Sequence, residues 1–365
     1  MQKDKRRAIV IDLIPPTMSS VEGVLRFEEL EELLATYGGV VVVRHLQRKH
    51  HPDPSTYIGS GKIDELVLEA QELKTDLLVI NNILKPRQLF ALQEMFQKTG
   101  VTVWDRVDLI LNIFSAHAES QEAKLQIQLA RIRHMGPRIF GMGMELSRQV
   151  GGIGTRGIGE TNIEIMKRHL KEQERKIVEK IERMERMRAE QRKNRRRNHF
   201  KTAAIVGYTN AGKTTLLNML TGRKEYAADE LFATLNTRTG KIYFPNSQKL
   251  VLASDTIGFI QNLPPELIQA FRSTLSETTH ADLLLHVIDI ADPKREEKIA
   301  VVDDILRQLS AENIPTCYVF NKTDAAWRDE RGELEKRYHD RRPVFLSAKT
   351  KDGKDTLLKR IEDMI

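Results

Sequence analysis

The run Gly207-Tyr208-Thr209-Asn210-Ala211-Gly212-Lys213-Thr214-Thr215 places four residues between two glycines and follows them with a lysine and a threonine. That spacing makes a loop whose backbone N–H groups wrap a β-phosphate and leave no room for side chains at the glycines. Lys213 is placed to neutralise β- and γ-phosphate oxygens, and the Thr214 hydroxyl to meet Mg²⁺. An apolar strand pattern over 202–206 leads into the loop, and a helical pattern leaves it. The helix would then point its positive end at the phosphates. The expected chemistry is Mg²⁺-assisted hydrolysis of a nucleoside triphosphate.

The base is chosen elsewhere. Asn321-Lys322-Thr323-Asp324 ends the apolar stretch TCYVF. Guanine presents N1–H and N2–H₂ side by side, and the Asp324 carboxylate can accept from both. Adenine offers no such pair of donors on that edge. Ser347-Ala348-Lys349 follows PVFL and fits a second base loop whose backbone meets O6. In register with the phosphate loop, the two strings predict GTP as substrate.

Asp255-Thr256-Ile257-Gly258 ends the strand pattern KLVLAS. An aspartate there holds Mg²⁺ through water, and the glycine N–H meets the γ-phosphate. Phe232-Ala233-Thr234-Leu235-Asn236 lies in LFATLNTRTG, which carries three threonines. Thr234 is the expected switch threonine that joins Mg²⁺ when GTP is bound, with Thr237 and Thr239 as the other choices. Lys213, Thr234 and Gly258 are thus the expected catalytic residues. Thr214, Thr234 and, through water, Asp255 are the expected metal ligands. Phe259 stands where Ras-type enzymes place a glutamine that orients the attacking water. It can neither donate nor accept, so slow hydrolysis is expected unless another residue, an ion or a partner orders the water.

Elements that alternate in type must position these loops. Residues 1–115 show strand patterns at 8–12, 40–46, 76–81 and 101–104. Helical windows separate them, with Val24, Phe27, Leu30, Leu33, Leu34 and Tyr37 on one face and Leu89, Leu92, Met95 and Phe96 on another. A small parallel sheet covered by helices is expected, without a catalytic cluster. Gly59-Ser60-Gly61-Lys62 lacks the spacer of a phosphate loop and reads as a tight turn before a helix. A helix from about Glu119 to Met135, a Gly/Arg-rich stretch, and a helix from about Thr161 to Arg197 follow. Ile163, Leu170, Ile177 and Met184 recur every seven residues, a seam that asks for a partner helix. The expected fold class is α/β. It comprises an N-terminal parallel α/β domain (1–115), a long antiparallel helical hairpin (116–198) and a Ras-like P-loop G domain (199–365).

Net charge is +7, and residues 160–200 hold fourteen Lys and Arg against eight Asp and Glu. Six of the seven excess charges therefore sit in one segment, which suits a polyanionic partner or, equally, a solvated helix face. The run Arg192–Arg197 is expected to end the helix and link it to the next domain. At the hairpin tip, Gly152-Ile153-Gly154-Thr155-Arg156-Gly157 matches a dinucleotide fingerprint, but the strand that motif needs is missing. Its glycines with Arg148 and Arg156 instead suit close approach to RNA phosphate. Hydrophobic residues make up 40% of the chain. With no run of 18 apolar residues, no transmembrane helix is expected. The basic, then apolar N-terminus is broken by Asp12 and two prolines, so it reads as a strand. Cys317, a single cysteine, excludes an internal disulfide. A monomer in the cytoplasm is expected, with a membrane surface as a second location.

Together these segments resemble the HflX family of ribosome-associated GTPases. The carriers are GYTNAGKTTLLNMLT, LFATLNTRTG, DTIGFIQNLPPELIQAFRSTLSET, HVIDIADP, SQEAKLQIQLARIRHMGPRI and the tip loop GGIGTRGIGETNIE. The resemblance implies docking on the large ribosomal subunit, with the hairpin tip at its rRNA, and GTP-dependent splitting of stalled or idle ribosomes. Two other readings stay open on the residues alone. One is a GTPase switch that recruits a protein or acts at a membrane surface. The other is a GTPase serving RNA modification, which would need a chemical site within 1–115.

Overall fold

The computed structural model describes residues 5–149, 158–198, 200–222, 238–244, 247–256, 258–260, 267, 275–325 and 330–365. The chain forms two compact units. One combines Met1–Ala116 with Ile127–Glu179, the other His117–Gln126 with Lys180–Ile365.

In the first unit, β1 (Arg6–Ile14), β2 (Gly39–Arg48), β3 (Leu77–Ile80) and β4 (Thr102–Asp105) form a parallel sheet in the order β2-β1-β3-β4. The helices α1 (Ser20–Tyr37), α2 (Ser60–Glu72), α3 (Pro86–Phe96) and α4 (Arg106–His117) connect and follow its strands. Parallel neighbours require such crossovers, because a hairpin cannot join them. β3 is buried along its whole length, so its sequence LLVI is apolar without alternation. The α1 start is fixed by a reciprocal Ser19–Glu22 capping box, and its end by Gly38 at φ 91°. Phe27, Leu30, Leu33 and Leu34 are buried, each worth about 2 kcal/mol. Val24 and Met95 were expected on buried faces but are 50% and 45% exposed. At 100° per residue each falls roughly 90–115° from the centre of its apolar stripe, which turns it to water.

Two helices, α5 (Gln121–Gln149) and α6 (Ile158–Arg197), contribute residues to both units. Arg133 of α5 meets Glu174 of α6 at 2.8 Å, and Glu122 of α5 pairs with Arg188 of α6. Early residues of one helix meet late residues of the other, the signature of an antiparallel pair. α5 runs fourteen residues beyond the expected stop at Met135, through Gly136 and Pro137. Propensity argued for a break there, since glycine costs about 1 kcal/mol and proline about 3 kcal/mol inside a helix. The helix continues nonetheless, as tertiary context commonly overrides propensity. The α6 seam runs through Leu170, Glu174, Ile177, Ile181, Met184, Arg188, Arg192 and Arg195, spaced by three and four residues and enclosed to differing degrees. Met166 and Met187 are exposed.

The second unit carries a six-stranded mixed sheet. Its strands are β5 (Lys201–Gly207), β6 (Arg238–Phe244), β7 (Lys249–Asp255), β8 (Leu283–Asp289), β9 (Thr316–Asn321) and β10 (Val344–Phe345), ordered β10-β9-β8-β5-β7-β6. Only β6 runs antiparallel, paired with β7. The described helices are α7 (Lys213–Thr221), α8 (Ser276–Thr279), α9 (Arg295–Gln308), α10 (Arg331–Arg337) and α11 (Lys354–Met364). β5 has neighbours on both sides, and Ala203, Ala204, Ile205 and Val206 are fully buried. The order of strand addition reverses at β5, with β7 and β6 on one side and β8, β9 and β10 on the other, a switch point that opens a crevice at its carboxyl end.

His286 in β8 is almost fully buried, and its Nδ1 has no hydrogen-bond partner among the described residues. Burial, helped by the charges of Arg341 and Lys213, pushes its pKa down to about 3 from 6.5. The ring is therefore neutral at pH 7, and its 3.8 Å approach to Asp303 is not an ion pair there. Between those two pKa values the unfolded chain takes up a proton that the folded chain refuses, so stability falls as pH drops through that window. At pH 4.5 the loss from this group is about 2–3 kcal/mol. Urea unfolding at pH 7 and pH 4.5 should show a smaller drop in His286→Leu than in the parent chain. Equal drops would assign the acid sensitivity to other groups.

Candidate functional site

β5, β7, β8 and β9 deliver their C-terminal ends to one edge of the sheet, and the candidate residues gather there. From β5 the chain turns through Gly207–Gly212 into α7. Gly212 sits at φ 93°, a conformation open to glycine, and a Cβ there would collide with the Asn321 amide. Lys213, the first residue of α7, is 7% exposed, and its Nζ donates to the Tyr208 carbonyl at 2.7 Å. Burial pushes its pKa down to about 8; the charge of Lys322 adds to that, and Asp255 opposes it. The Thr214 hydroxyl donates to Asp255 Oδ2 at 2.7 Å, which joins α7 to the end of β7. Thr215 lies half-buried in the same helix turn.

The residues after Asp255 are held just as tightly. Thr256 is buried, and its hydroxyl donates to the Ile205 carbonyl at 2.7 Å. Gly258 lies against the phosphate loop, where a Cβ would stand 2.8 Å from both Lys213 Nζ and Thr209 Cγ2. Phe259 then forms a parallel bridge with Tyr208: its N–H donates to Gly207 O at 3.1 Å, and Thr209 N–H donates to Phe259 O at 2.8 Å. Its ring is 1% exposed. Thr209 Oγ1 is buried without a hydrogen-bond partner among the described residues.

The two expected base loops meet through Asn321. Its amide donates to Ala211 O at 2.8 Å, and its Oδ1 accepts from Ala348 N–H at 2.9 Å. One side chain thereby ties the phosphate loop to both base loops. The Ser347 hydroxyl bonds Asp324 and holds its carboxyl below the usual range. Asp324 itself faces solvent, as does Lys349. Thr323 N–H donates to Leu346 O at 3.3 Å. Lys322, at φ 64°, pairs with Asp289 Oδ2 at 2.7 Å.

Some expected residues lie outside the described ones: Phe232, Ala233, Thr234, Leu235, Asn236, Ile257, Arg156 and the tip from Val150 to Gly157. For Arg148 the helical backbone alone is described. Thr239 is a ladder residue of β6 opposite Ser254. Sequence reasoning missed Asp289, although its place at the end of the β8 pattern HVIDIAD marked it as a carboxyl-edge residue. It also missed that Tyr208 and Phe259 join through their backbones, which no side-chain pattern encodes. Cys317 is buried, its thiol pushed up to about 12 by burial.

The buried ring makes a specific outcome expected. Phe259→Gln buries an amide where the ring is now almost wholly enclosed and should cost about 3 kcal/mol or more of stability. Because the position is anchored inward, the glutamine should not raise single-turnover GTP hydrolysis in the isolated protein. A faster variant of unchanged melting temperature would show that the side chain at this position reaches the attacking water.

Family models match in three consecutive blocks. A GTP-binding GTPase N-terminal region matches 25–115, a GTP-binding GTPase middle region 117–195, and a 50S ribosome-binding GTPase 202–322. The GTPase HflX of Caldanaerobacter subterraneus subsp. tengcongensis is 42% identical over 362 residues, covering 99% of this chain and 81% of that protein. The GTPase HflX of Escherichia coli K12 is 37% identical over 340 residues, covering 93% and 78%. A GTP-binding protein from Sulfolobus solfataricus, solved in complex with GDP, is 24% identical with a TM-score of 0.52 over 98% of each chain, a likeness of fold. The phosphate loop, its buried lysine and near full-length identity to these relatives therefore lead to one conclusion: the chain belongs to the HflX family and is a P-loop GTPase that binds and hydrolyses GTP.

Proposed function

We propose that this GTPase requires Mg²⁺, binds the large ribosomal subunit and its rRNA, and splits stalled or idle ribosomes, turning over slowly alone and faster on the ribosome. The observation that carries the chemistry is the Thr214–Asp255 contact beside the buried ammonium of Lys213. A neutral hydroxyl and a carboxylate form a hard-oxygen donor pair that suits Mg²⁺. The Thr209 hydroxyl, buried without a hydrogen-bond partner among the described residues, and the close seat of Gly258 against Lys213 suit a phosphate. When bound, Mg²⁺ would neutralise β- and γ-phosphate charge, held by Thr214, by Asp255 through water, and by Thr234 in the GTP state.

This chain's own residues do the rest. Lys213 meets the β/γ oxygens, and the Gly258 N–H donates to the γ-phosphate. Asp324 accepts from guanine N1–H and N2–H₂, the backbone of the Ser347–Lys349 loop meets O6, and Asn321 keeps these loops in register with the phosphate loop. Phe259 offers the water nothing, so unassisted turnover should be on the order of 10⁻³ s⁻¹ or below, as in unassisted Ras.

The ribosome part is supported by family membership and by the description of the matching G-domain model. In this reading 1–115 and the hairpin 116–198 dock, with Arg148 and Arg156 at rRNA, while 199–365 hydrolyses GTP. Among the described residues no helix is long and apolar enough to cross a membrane.

Base choice is tested by Asp324→Asn. Losing a carboxylate that bonds two donors should weaken GTP binding by about 2 kcal/mol or more. Xanthosine triphosphate, whose C2 oxygen suits the amide, should bind better. Titration with both nucleotides checks this, and unchanged GTP affinity removes Asp324 from the site. Docking is tested by replacing 150–158 with a short Gly/Ser turn. The intact protein should sediment with large subunits when a non-hydrolysable GTP analogue is present, less so as salt rises, because neutralised phosphates release counterions. The replaced protein should keep its basal rate but lose stimulation by large subunits and subunit splitting. Equal stimulation of both would refute a role for the tip.

A further inference from the structure

Asp105 closes β4 and is wholly buried, at the carboxyl end of the parallel sheet of the first unit. Asp108 follows in the first turn of α4. Each carboxylate accepts from the other residue's backbone. Asp108 N–H donates to Asp105 Oδ1 at 2.9 Å, and Asp105 N–H donates to Asp108 Oδ2 at 3.2 Å. The Leu84 N–H donates to Asp105 Oδ2 at 3.1 Å. This reciprocal cap starts the helix and fixes both side chains in place. His134 reaches the same point from α5. Its Nε2 stands 3.3 Å from Asp105 Oδ1 and 3.4 Å from Asp108 Oδ1. The three donor atoms lie within 4.8 Å of one another, and the three residues belong to one compact unit. His134 is 11% exposed and Asp108 15%, so the cluster is mostly enclosed but open to water on one side.

Two things can answer this pair of carboxylates: a proton on the imidazole, or a cation held among the three donors. A protonated ring nitrogen bonds a carboxylate at about 2.7–2.9 Å, and both separations here are longer. An ion about 2.0–2.1 Å from each donor of a tetrahedral set holds those donors about 3.3–3.4 Å apart, which is the spacing found. Charge points the same way. An imidazolium cancels one of the two enclosed carboxylates, whereas a divalent cation beside a neutral ring cancels both. The backbone N–H groups that hold the carboxylates are the outer support that metal ligands use.

We propose that Asp105, Asp108 and His134 form a site for a divalent cation of the zinc class, which fastens α5 to the carboxyl end of β4. One imidazole nitrogen and two carboxylate oxygens make a donor set suited to Zn²⁺, and the fourth position falls to water from the open side. The spacing of these residues in the chain does not reveal the site, because two of them double as a helix cap and the third lies inside another helix. The site is separate from the Mg²⁺ position beside Thr214 and does not rest on the ribosome reading.

The test uses the full-length protein, stripped of metal and then saturated with Mg²⁺ and GDP, so that added Zn²⁺ meets a filled nucleotide site. Equilibrium dialysis at micromolar free Zn²⁺ should find one bound ion per chain. The melting temperature should rise with Zn²⁺ and fall back with a chelator that prefers Zn²⁺ to Mg²⁺. His134→Ala removes a ligand and should weaken Zn²⁺ binding by about 100-fold or more, since loss of a supporting group alone costs about 10- to 100-fold. Asp108→Asn keeps the shape and should weaken binding by a similar factor. Both variants should lose the Zn²⁺-dependent rise in melting temperature. A parent chain that takes up no Zn²⁺ under these conditions overturns the proposal and assigns the cluster to a proton-bridged contact. Variants that bind the ion as tightly as the parent overturn it too, because the ion then sits elsewhere. If His134→Ala does not fold, Asp108→Asn and the stoichiometry of the parent chain give the same decision.

Discussion

Lys213 carries an ammonium group into a place that water barely reaches, and the catalytic unit is arranged around it. A buried cation must find partners or lose its proton. Here burial has already brought its pKa to about 8. The Tyr208 carbonyl accepts one hydrogen bond, and Asp255 offsets part of the charge. Both arrive only because β5 and β7 lie side by side in parallel and end at the same edge. The Phe259 bridge then lays Gly258 beside the ammonium, where a side chain would intrude. A triphosphate supplies the negative charge that this arrangement lacks. Binding therefore relieves an electrostatic cost built into the fold.

The first unit uses the same parallel architecture and reaches the opposite result. The order of strand addition in its sheet also reverses between β1 and β3, the place where such folds bind ligands. Asp12 is fully buried there, but Arg26 Nε donates to it at 2.6 Å, Asn81 Nδ2 at 3.0 Å and the Leu13 N–H at 2.8 Å. Arg106 in turn donates to Asn81 Oδ1 at 2.8 Å and pairs with Glu29. These groups answer one another, which makes the crevice rigid and leaves this network no charge for a ligand to relieve. That is why the sequence offered a fold there and no chemistry.

What could be read from sequence divides by range. The phosphate loop, the Asp255 and Asn321 motifs and the strands beneath them are local patterns, since a parallel strand is a short apolar run ending in its functional residue. Strand positions fell within two or three residues for that reason. The length of α5 was not legible, because Gly136 and Pro137 argue for a stop that the helix overrides. Nor was the polar half of the α6 seam. Apolar periodicity finds Ile177 and Ile181 but passes over Glu174, Arg188, Arg192 and Arg195, whose partners lie 41 to 85 residues away. Backbone contacts such as the Phe259 bridge carry no residue signature at all.

The same distinction changes the meaning of the basic helix. Net charge counts every cation alike, but α6 sorts its cations by how they are answered. Arg175 with Glu179 and Lys176 with Glu172 are one-turn pairs, mostly exposed on both sides. Pairs of that kind hold by only ~0.3–0.5 kcal/mol, so a polyanion can take either cation from its partner at little cost. Arg188 with Glu122, and Arg192 and Arg195 with Glu277, are mostly enclosed, and a phosphate that displaced the carboxylate would strand it. Lys193 with Glu190, between the enclosed arginines, is as exposed as the first two pairs, so the division runs between faces of the helix: the enclosed face commits its charge to structure and the outer face offers exchangeable charge. A helix built in this way can be attracted to a polyanion on one face without loosening the other.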